Sequence, residues 1–293
     1  MRVFMTGATG FIGTKVIAEL HAAGHTVVGL ARSEANVEAL AKAGVEAHRG
    51  ELTDLDSLVA GAKACDGVIH LGFIHDFANF MANIEIDRRA VEAMTGALKG
   101  SGKAMVITSG TMMVNHGRPA TEAHNPLSRD QPRAASEAMV LETPGLRGVV
   151  VRLAPAVHDR TRAGLVVMIA MSARAKGATA YIGEGANRWP AVHVVDAARL
   201  FALGFDKAEP GMKLHAVAEE GVAFRAIAET IGERLRVPAH SIGPEEAFAY
   251  FETMGMFAGV DNPTSSAVTR ETMGWTPTQI GLLEDMAHSD YLA

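Results

Sequence analysis

The sequence predicts an α/β fold, in which a doubly wound parallel sheet carries helices on both faces and a smaller lobe is added by the C-terminal half. Two observations lead to this prediction. Short apolar runs alternate with amphipathic helical patterns through the first half of the chain. A glycine-rich run, from Thr6 to Gly13, directly follows the first apolar run and opens the first helical pattern.

The first half of the chain is expected to contain six strands joined by helices. The predicted strands lie near 2–6, 26–31, 45–49, 67–72, 104–109 and 148–154. The long helical pattern runs from Phe80 to Leu98. Because right-handed crossovers place the carboxyl ends of parallel strands at one edge of a sheet, a ligand is expected to bind in the loops at that edge.

From Pro155 onward the alternation of strands and helices breaks. The predicted pieces are a helix around 163–176, a strand and loop at 179–190, a helix at 196–206, a strand at 212–217 and helices near 222–236 and 244–254. We expect the strand at 212–217 to return to the main sheet. Residues 1–155 would then form the nucleotide-binding core and residues 156–293 mainly a substrate lobe, with the two parts interwoven.

The glycine run has the properties of a phosphate-binding turn. Gly7 permits a sharp turn after the strand, Gly10 lets backbone N–H groups approach a phosphate, and Gly13 lets the helix pack closely on the strand. The pyrophosphate of a dinucleotide would rest at the positive end of that helix.

Composition narrows the class of protein further. The 293 residues are 48% hydrophobic and carry a net charge of −6, with no basic cluster, so we expect a sizeable core and no nucleic-acid partner. The single cysteine, Cys65, suits a reducing cytoplasm. No apolar run reaches the ~18 residues of a membrane span, and the glycine run occupies the place of a signal peptide. We expect no metal site, because Gly24 separates His21 from His25, the histidine pair with helical spacing.

The TGxxGxxG spacing resembles the short-chain dehydrogenase/reductase superfamily, in particular its extended and atypical branches. Residues that match the superfamily also follow the fourth, fifth and sixth predicted strands, and the match continues through His193 and Asp196. The resemblance implies a Rossmann-type fold that binds a nicotinamide dinucleotide. It implies cofactor contacts at Gly7, Thr9, Gly10, Phe11, Ile12, Gly13, Leu71, Gly72, Phe73, Thr108, Arg152, Leu153 and Pro155.

The residues after the second strand predict NADP(H) rather than NAD(H). NAD enzymes of this class place an Asp or Glu there for the ribose 2′-hydroxyl, whereas this chain places Arg32 and Ser33. Arg32 can hold a 2′-phosphate through its planar fork, and Ser33 can donate a further hydrogen bond. The alternative is that the protein binds NAD(H) and that Arg32 is a solvated loop residue. Glu51 and Leu52 correspond to the superfamily's acidic and apolar pair beside the adenine, usually Asp-Leu.

The superfamily's catalytic dyad, a tyrosine and a lysine four residues later, is absent. None of the three tyrosines has a lysine at that spacing. When the chain is aligned with the superfamily by the helix that should carry the dyad, Arg133 takes the position of the tyrosine and Glu137 that of the lysine. The two could form an ion pair on the helix surface. Alternatively, Glu137 could accept hydrogen bonds from the nicotinamide ribose in place of the lysine.

Ser109 and His75 are the other candidate catalytic residues. Ser109 matches the superfamily's serine, which polarises a substrate carbonyl. His75 lies beside Asp76 in the loop after the fourth strand, where a carboxylate would favour the charged imidazole and make it a proton donor. The alternatives are a strand-terminal serine and a loop histidine without a catalytic role.

Candidate substrate contacts come from two further segments. The segment 181–190 resembles the superfamily loop that borders the substrate pocket, which implicates Tyr181, Asn187 and Trp189. Met112 and Met113 lie near the expected cleft, as do Met168 and Met171. Packing within the lobe is the alternative for each of them. We expect His193 and Asp196 to be structural, with Asp196 capping the helix that follows.

Together these patterns favour an NADPH-dependent reductase that acts on a small or medium carbonyl or imine compound. One alternative is an NADP-binding redox sensor that engages a protein partner without turnover. Another is an epimerase acting on a sugar nucleotide, although the C-terminal half lacks an arginine cluster for the diphosphate. The resemblance also suggests a homodimer formed through the helices near 80–98 and 133–143.

Overall fold

A computed structural model describes residues 1–76, 79–115, 117–128 and 133–293. The strands are β1 (Arg2–Thr6), β2 (Thr26–Ala31), β3 (Glu46–Arg49), β4 (Gly67–His70), β5 (Ala104–Gly110), β6 (Arg147–Leu153), β7 (Ala156–Asp159), β8 (Arg162–Ala163), β9 (Thr179–Ile182), β10 (Arg188–His193), β11 (Met212–Ala216), β12 (Glu219–Ala223) and β13 (Ala239–Ile242). The helices are α1 (Phe11–Ala22), α2 (Glu34–Lys42), α3 (Leu55–Ala64), α4 (Phe80–Leu98), α5 (Ala134–Glu142), α6 (Val166–Lys176), α7 (Val194–Lys207), α8 (Phe224–Leu235), α9 (Ala247–Phe251), α10 (Gly255–Ala258), α11 (Ala267–Met273) and α12 (Leu282–Ala287).

The central sheet has seven strands in the order β11-β6-β5-β4-β1-β2-β3. All neighbouring strands in it are parallel. The strand order reverses between β1 and β4, so a crevice opens there at the carboxyl ends of the strands. The predicted α/β fold with a doubly wound parallel sheet is therefore confirmed.

Helices cover both faces of this sheet because its strands are apolar on both sides. In β1, Val3 and Met5 pack into one core, which they share with residues of α1 and α7. Phe4 points to the opposite face and packs into a second core with residues of α3 and α4. Burial on both faces explains why the strands read as continuous apolar runs.

The second lobe has a core of its own beneath a four-stranded sheet, ordered β12-β10-β7-β8, and the two-stranded sheet β13-β9. The chain then returns to the central sheet, where β11 pairs with β6 at one edge. The helix predicted near 244–254 is present but is not continuous. It is broken into short helices at Glu252, whose φ of 53° does not fit a right-handed helix.

The helix α7 begins differently from the sequence prediction. His193 caps it, since the imidazole Nδ1 accepts a hydrogen bond from the N–H of Val195 at 3.2 Å. Asp196 lies inside the first turn, where its buried carboxylate accepts hydrogen bonds from the N–H groups of Thr278 and Gln279. Asp196 therefore fastens the C-terminal segment to α7 and does not cap the helix.

No described helix is both long enough and apolar enough to cross a membrane. Within the same residues, no group of three or more His, Cys, Asp or Glu side chains is arranged to hold a metal ion.

Candidate active site

A cleft of about 700 Å³ follows the carboxyl edge of the central sheet, where β1, β4, β5 and β6 end. The glycine run forms one end of its wall, and α6 from the second lobe closes the other end. Most of the predicted cofactor contacts lie on this cleft: Gly7, Thr9, Gly10, Phe11, Ile12, Gly13, Arg32, Glu51, Leu52, Leu71, Gly72, Phe73, Thr108, Leu153 and Pro155.

The glycine turn leaves no room for side chains. Gly7 has a φ of 68°, and a Cβ there would lie 2.7 Å from the carbonyl carbon of Leu71. A Cβ on Gly13 would lie 2.1 Å from the carbonyl oxygen of Gly7. Gly10 precedes α1 and contributes no side-chain cap, so the first N–H groups of the helix remain free for an anion. The turn therefore fits the pyrophosphate of a dinucleotide.

Arg32 and Glu51 line the end of the cleft beside the carboxyl ends of β2 and β3. The guanidinium of Arg32 is exposed and has no partner in the part of the chain that the structure describes. Glu51 accepts a hydrogen bond from Thr53 Oγ1 at 2.8 Å. Arg32 is thus free to meet a phosphate.

The prediction for Ser33 needs correction. Its Oγ donates to Asn36 Oδ1 at 3.1 Å and accepts from the N–H of Asn36 at 3.3 Å, which caps α2. Ser33 does not line the cleft, whereas Asn36 does. Sequence reasoning missed Asn36, although a Ser directly before a helical pattern is a recognisable N-cap.

Ser109 lies at the end of β5 and lines the cleft. Its side chain is buried, and its Oγ has no hydrogen-bond partner among the residues described. The neighbouring hydroxyls are engaged: Thr108 Oγ1 donates to the carbonyl of His70 at 3.0 Å, and Thr111 Oγ1 accepts from Asn262 Nδ2 at 2.9 Å. An unpaired buried hydroxyl costs free energy, so Ser109 is available to bind a ligand.

His75 lies at the mouth of the cleft, edge-on to the ring of Phe73 at 5.3 Å. Partial burial and the positive charges of Arg133 and Arg162 lower its pKa below the usual range. The Asp76 carboxylate accepts a hydrogen bond from Asn79 Nδ2 at 2.8 Å, and Asp76 is not among the groups that shift the pKa of His75. The expectation of a charged His75 is therefore wrong, and the imidazole is neutral near pH 7.

Arg133 lines the cleft from the N-terminus of α5, in the backbone position predicted for the missing tyrosine. Its φ of 64° is left-handed, which is strained for an arginine. The guanidinium carbon lies 4.8 Å from the ring centre of Phe73, and Nη2 lies 3.1 Å from Asp87 Oδ1. Its Nε is buried without a partner in the described ranges. Arg133 therefore presents a positive charge to the cleft and does not pair with Glu137.

A buried chain of hydrogen bonds supports Arg133 from behind. Asp87 Oδ1 also accepts from His70 Nε2 at 3.2 Å, and His70 Nδ1 lies 2.7 Å from Thr6 Oγ1. Because Nε2 donates to a carboxylate, Nδ1 of a neutral ring accepts the Thr6 proton. Burial tends to raise the pKa of Asp87, but the charge of Arg133 and the hydrogen bond from His70 hold it below its usual value. The chain thus keeps Asp87 ionised beneath Arg133.

Glu137 and Arg152 require correction because they bind each other rather than a cofactor. Arg152 Nη2 donates to Glu137 Oε2 at 2.6 Å, and Arg152 Nε donates to Oε1 at 3.0 Å. Both side chains are buried, and neither lines the cleft. The pair is fifteen residues apart in sequence, a spacing that carries no recognisable signal.

The segment 181–190 packs within the second lobe, which corrects three substrate predictions. Trp189 is fully buried against Phe224, with ring centres 5.1 Å apart. Asn187 Nδ2 donates to the carbonyl of Ala258 at 2.8 Å, and Tyr181 stacks under Arg225. None of the three lines the cleft.

The methionines divide between the cleft and its surroundings. Met112, Met168 and Met171 line the cleft, whereas Met113 does not. The cleft also receives Arg162 from β8, which sequence reasoning missed. Asp159 and Thr161 form the turn that precedes it, and this Asp-x-Thr pattern is the signal that predicts such a hairpin.

The superfamily's dyad has no counterpart in the described lining of the cleft, which contains no tyrosine and no lysine. Its charged or titratable groups are Arg32, Glu51, His75, Arg133 and Arg162. This fold and this glycine turn define a dinucleotide-binding protein of the Rossmann class.

Comparison with known proteins identifies the family. Residues 3–217 match the model of the NAD dependent epimerase/dehydratase family, and the chain belongs to this family. It is 42% identical over 99% of its length to an uncharacterized protein of Schizosaccharomyces pombe, all of which it covers. It is 43% identical to an uncharacterized protein of Saccharomyces cerevisiae, with 98% of each chain covered.

The fold has counterparts among solved structures. The structure of Thermus thermophilus UDP-glucose 4-epimerase in complex with NAD aligns with 100% of this chain and 99% of its own, with a TM-score of 0.74. The two sequences are only 20% identical, so this likeness shows the shared fold.

Proposed function

We propose that this chain is an NADPH-dependent reductase of small or medium carbonyl or imine compounds. The observation that carries this proposal is the buried Oγ of Ser109, which lines the cleft without a hydrogen-bond partner among the described residues. A hydroxyl in that position can donate to the oxygen of a substrate carbonyl. The cleft of about 700 Å³ lies within the usual range of ligand pockets.

The preference for NADP(H) rests on Arg32. Its guanidinium has no partner among the described residues and lies with Asn36 at the end of the cleft expected to hold the adenosine. A 2′-phosphate would receive a charge-assisted hydrogen bond from Arg32. The first turn of α1 would hold the pyrophosphate, and Leu52 and Leu71 would contact the adenine side.

The protein's part in the reaction is to orient the carbonyl and stabilise the charge that develops on its oxygen. When bound, the reduced nicotinamide supplies the hydride. Ser109 Oγ donates a hydrogen bond to the carbonyl oxygen, and the charge of Arg133 stabilises the oxygen as it becomes negative. Asp87 and Phe73 hold the guanidinium of Arg133 in place.

The proton enters at the mouth of the cleft. Arg133 cannot supply it, because a guanidinium does not deprotonate in proteins. His75 lies at the mouth and is neutral near pH 7, so there it passes on a proton taken from water. The charged imidazole, which forms at lower pH, is the stronger acid.

The test is NADPH oxidation with a panel of aldehydes, ketones and imines. We expect turnover by the unaltered protein and a loss of about 10²-fold in kcat for Ser109→Ala, the effect of removing one donor to a developing oxyanion. Ser136→Ala is the matched control, since the Ser136 hydroxyl is also buried and unpartnered within the described chain but lies away from the cleft. His75→Ala should lower kcat less than Ser109→Ala.

The second candidate function is a redox sensor that binds NADP(H) without turnover. It is favoured by the absence of tyrosine and lysine from the described cleft lining. Tight NADPH binding with no oxidation of NADPH on any carbonyl or imine would support the sensor and exclude the reductase.

We further propose that the protein acts in the cytoplasm as a homodimer formed through α4 and α5. The single cysteine, Cys65, is buried and free, which suits a reducing compartment.

A further inference from the structure

The substrate end of the cleft is basic. Arg133, Arg162 and His75 line it, and no Asp or Glu among the described residues lines this end. The acidic residue of the described lining is Glu51, which follows β3 at the opposite end. Asp87 touches Arg133 from the protein interior and does not line the cleft. A ligand at this end therefore meets positive charge that is not neutralised within the cleft.

Arg162 is held at the cleft by a hydrogen-bonded turn. Asp159 Oδ1 accepts hydrogen bonds from the N–H of Thr161 at 2.8 Å, from Thr161 Oγ1 at 2.6 Å and from the N–H of Arg162 at 3.1 Å. These bonds engage the backbone of Arg162 and leave its side chain free. The exposed guanidinium has no partner in the described parts of the chain.

Arg133 is a second, independent sign of an anionic ligand. Arg133 keeps a strained φ of 64° at the edge of the cleft, and strained backbone conformations cluster at functional sites. One nitrogen, Nη2, binds Asp87, while the buried Nε has no partner in the described structure. A buried donor without a partner costs free energy that a bound acceptor would recover.

The wall between these groups is apolar. Met112, Leu165, Val167, Met168 and Met171 line it. Methionine side chains adapt to irregular apolar shapes. The substrate end is therefore suited to a compound with a short apolar body and an anionic group.

We propose that the substrate is an aldehyde or ketone that carries a carboxylate, with Arg162 as the ligand of the carboxylate and Arg133 beside the carbonyl oxygen. The identity of the substrate rests on the reductase function proposed above, whereas the carboxylate site itself does not depend on turnover. A planar guanidinium matches a carboxylate with two parallel hydrogen bonds.

The test compares charged and neutral probes of the same shape. Binding of benzoate and of benzamide to the NADP-loaded protein is measured by calorimetry, and turnover with NADPH is measured on 4-formylbenzoate and 4-formylbenzamide. We expect benzoate to bind about 10- to 100-fold more tightly than benzamide, the range for a charge-assisted hydrogen-bond pair. We expect kcat/KM to favour 4-formylbenzoate by a similar factor.

Arg162→Gln should remove most of the preference for the carboxylate in both measurements. Arg160→Gln is the matched control, because Arg160 lies two residues away on the same turn, binds the carbonyl of His288 and does not line the cleft. The control should keep the full preference for benzoate. Loss of the preference in Arg160→Gln to the same extent as in Arg162→Gln would overturn the proposal.

The outcomes separate this proposal from the proposed function. Equal binding of benzoate and benzamide, or equal turnover of the two aldehydes, would overturn the carboxylate site and leave the reductase intact. A strong preference for benzoate without turnover of either aldehyde would support the site and overturn the reductase. Tighter binding of inorganic phosphate or UDP than of benzoate would overturn the carboxylate in favour of a phosphate ligand.

Discussion

Arg152 and Glu137 form a bidentate ion pair inside the protein, with Nη2 and Oε2 2.6 Å apart. Arg152 Nη1 also donates to the carbonyl of His124 at 2.9 Å. The pair ties α5 to β6, at the helix position where relatives of this type were expected to carry the catalytic lysine. The site that would have held a ribose ligand is thus used to fasten the helix to the sheet.

We predict that Glu137→Gln destabilises the protein by about 3 kcal/mol or more, because it leaves the buried charge of Arg152 uncompensated. Urea unfolding of the cofactor-free protein measures this loss. Glu38→Gln, an exposed position on α2, is the control and should change stability little. Weaker NADPH binding with unchanged stability would instead identify Glu137 as a cofactor ligand.

Arg32→Ala should weaken NADP binding by about 10- to 100-fold and leave NAD binding unchanged, because one charge-assisted contact to the 2′-phosphate is lost. Titration of both cofactors by calorimetry gives the ratio. Arg49→Ala is the control, since Arg49 is exposed, pairs with Glu34 and does not line the cleft. An unchanged ratio in Arg32→Ala would contradict the assignment of NADP(H).

Arg133→Met should lower kcat by about 10²- to 10³-fold with little effect on NADPH affinity, because stabilisation of the developing oxyanion is lost. Arg133→Lys should recover part of the rate, since the charge returns without the planar fork. Arg89→Met, an exposed arginine on α4, is the control. Equal rates for all three variants would exclude Arg133 from the reaction.

Reduction should become faster as the pH falls through the pKa of His75, which burial and the nearby arginines place below its usual range. The reason is that protonation converts a weak proton donor into a strong one. Single-turnover rates between pH 5 and 8, with NADPH already bound, measure this dependence. His75→Gln should flatten the acidic part of the profile, and a profile unchanged by the substitution would exclude His75 as the donor.

Stability should fall in acid because of a second histidine. Burial lowers the pKa of His215 to about 4, and its Nδ1 donates to the carbonyl of Ser265 while Nε2 faces Arg152. Glu122 and Glu137 oppose this shift only in part. Because an unfolded histidine titrates near 6.5, the unfolded chain binds the extra proton first as the pH falls from about 6.5 to 4. The contribution of His215 to the free energy of unfolding is therefore fully present above this pH range and is lost progressively as the pH falls through it.

We expect His215 to account for up to about 3 kcal/mol of this acid-induced loss. Urea unfolding at pH 7.5 and pH 5 tests the expectation. His215→Gln should reduce the difference between the free energies of unfolding at pH 7.5 and pH 5. The control, His240→Gln at an exposed position, should leave this difference unchanged. An undiminished difference in His215→Gln would contradict the prediction.

The end of the cleft formed by the glycine turn could be predicted from the sequence because its residues belong to local motifs. Two of these segments, the Gly7 to Gly13 turn and the loop after β4, directly follow a strand with a clear apolar pattern. The third is the carboxyl end of β5 itself. Parallel pairing then places all of them at one edge without any further information. The positions of Leu71, Gly72 and Ser109 follow from that rule.

The part of the cleft next to the second lobe could not be predicted in the same way, because the contacts that keep Trp189, Asn187 and Arg152 away from it join residues far apart in sequence. Trp189 faces Phe224, Asn187 binds the carbonyl of Ala258, and Arg152 meets Glu137. Aromatic and amide side chains in a loop are equally suited to binding a ligand and to packing, and only the tertiary fold decides between the two. Arg162 was missed because the chain turns back after β6 as the β7–β8 hairpin.

The return of β11 to the central sheet has a consequence for any attempt to divide the molecule. A fragment that stops near residue 160 would lack both α7 and β11, which leaves one side of β6 with unsatisfied backbone groups and part of one face of the sheet uncovered. Such a fragment is expected to aggregate rather than survive as a free nucleotide-binding module. Exchange of substrate specificity between relatives must therefore graft the lobe as two segments, one between β6 and α7 and one after β11.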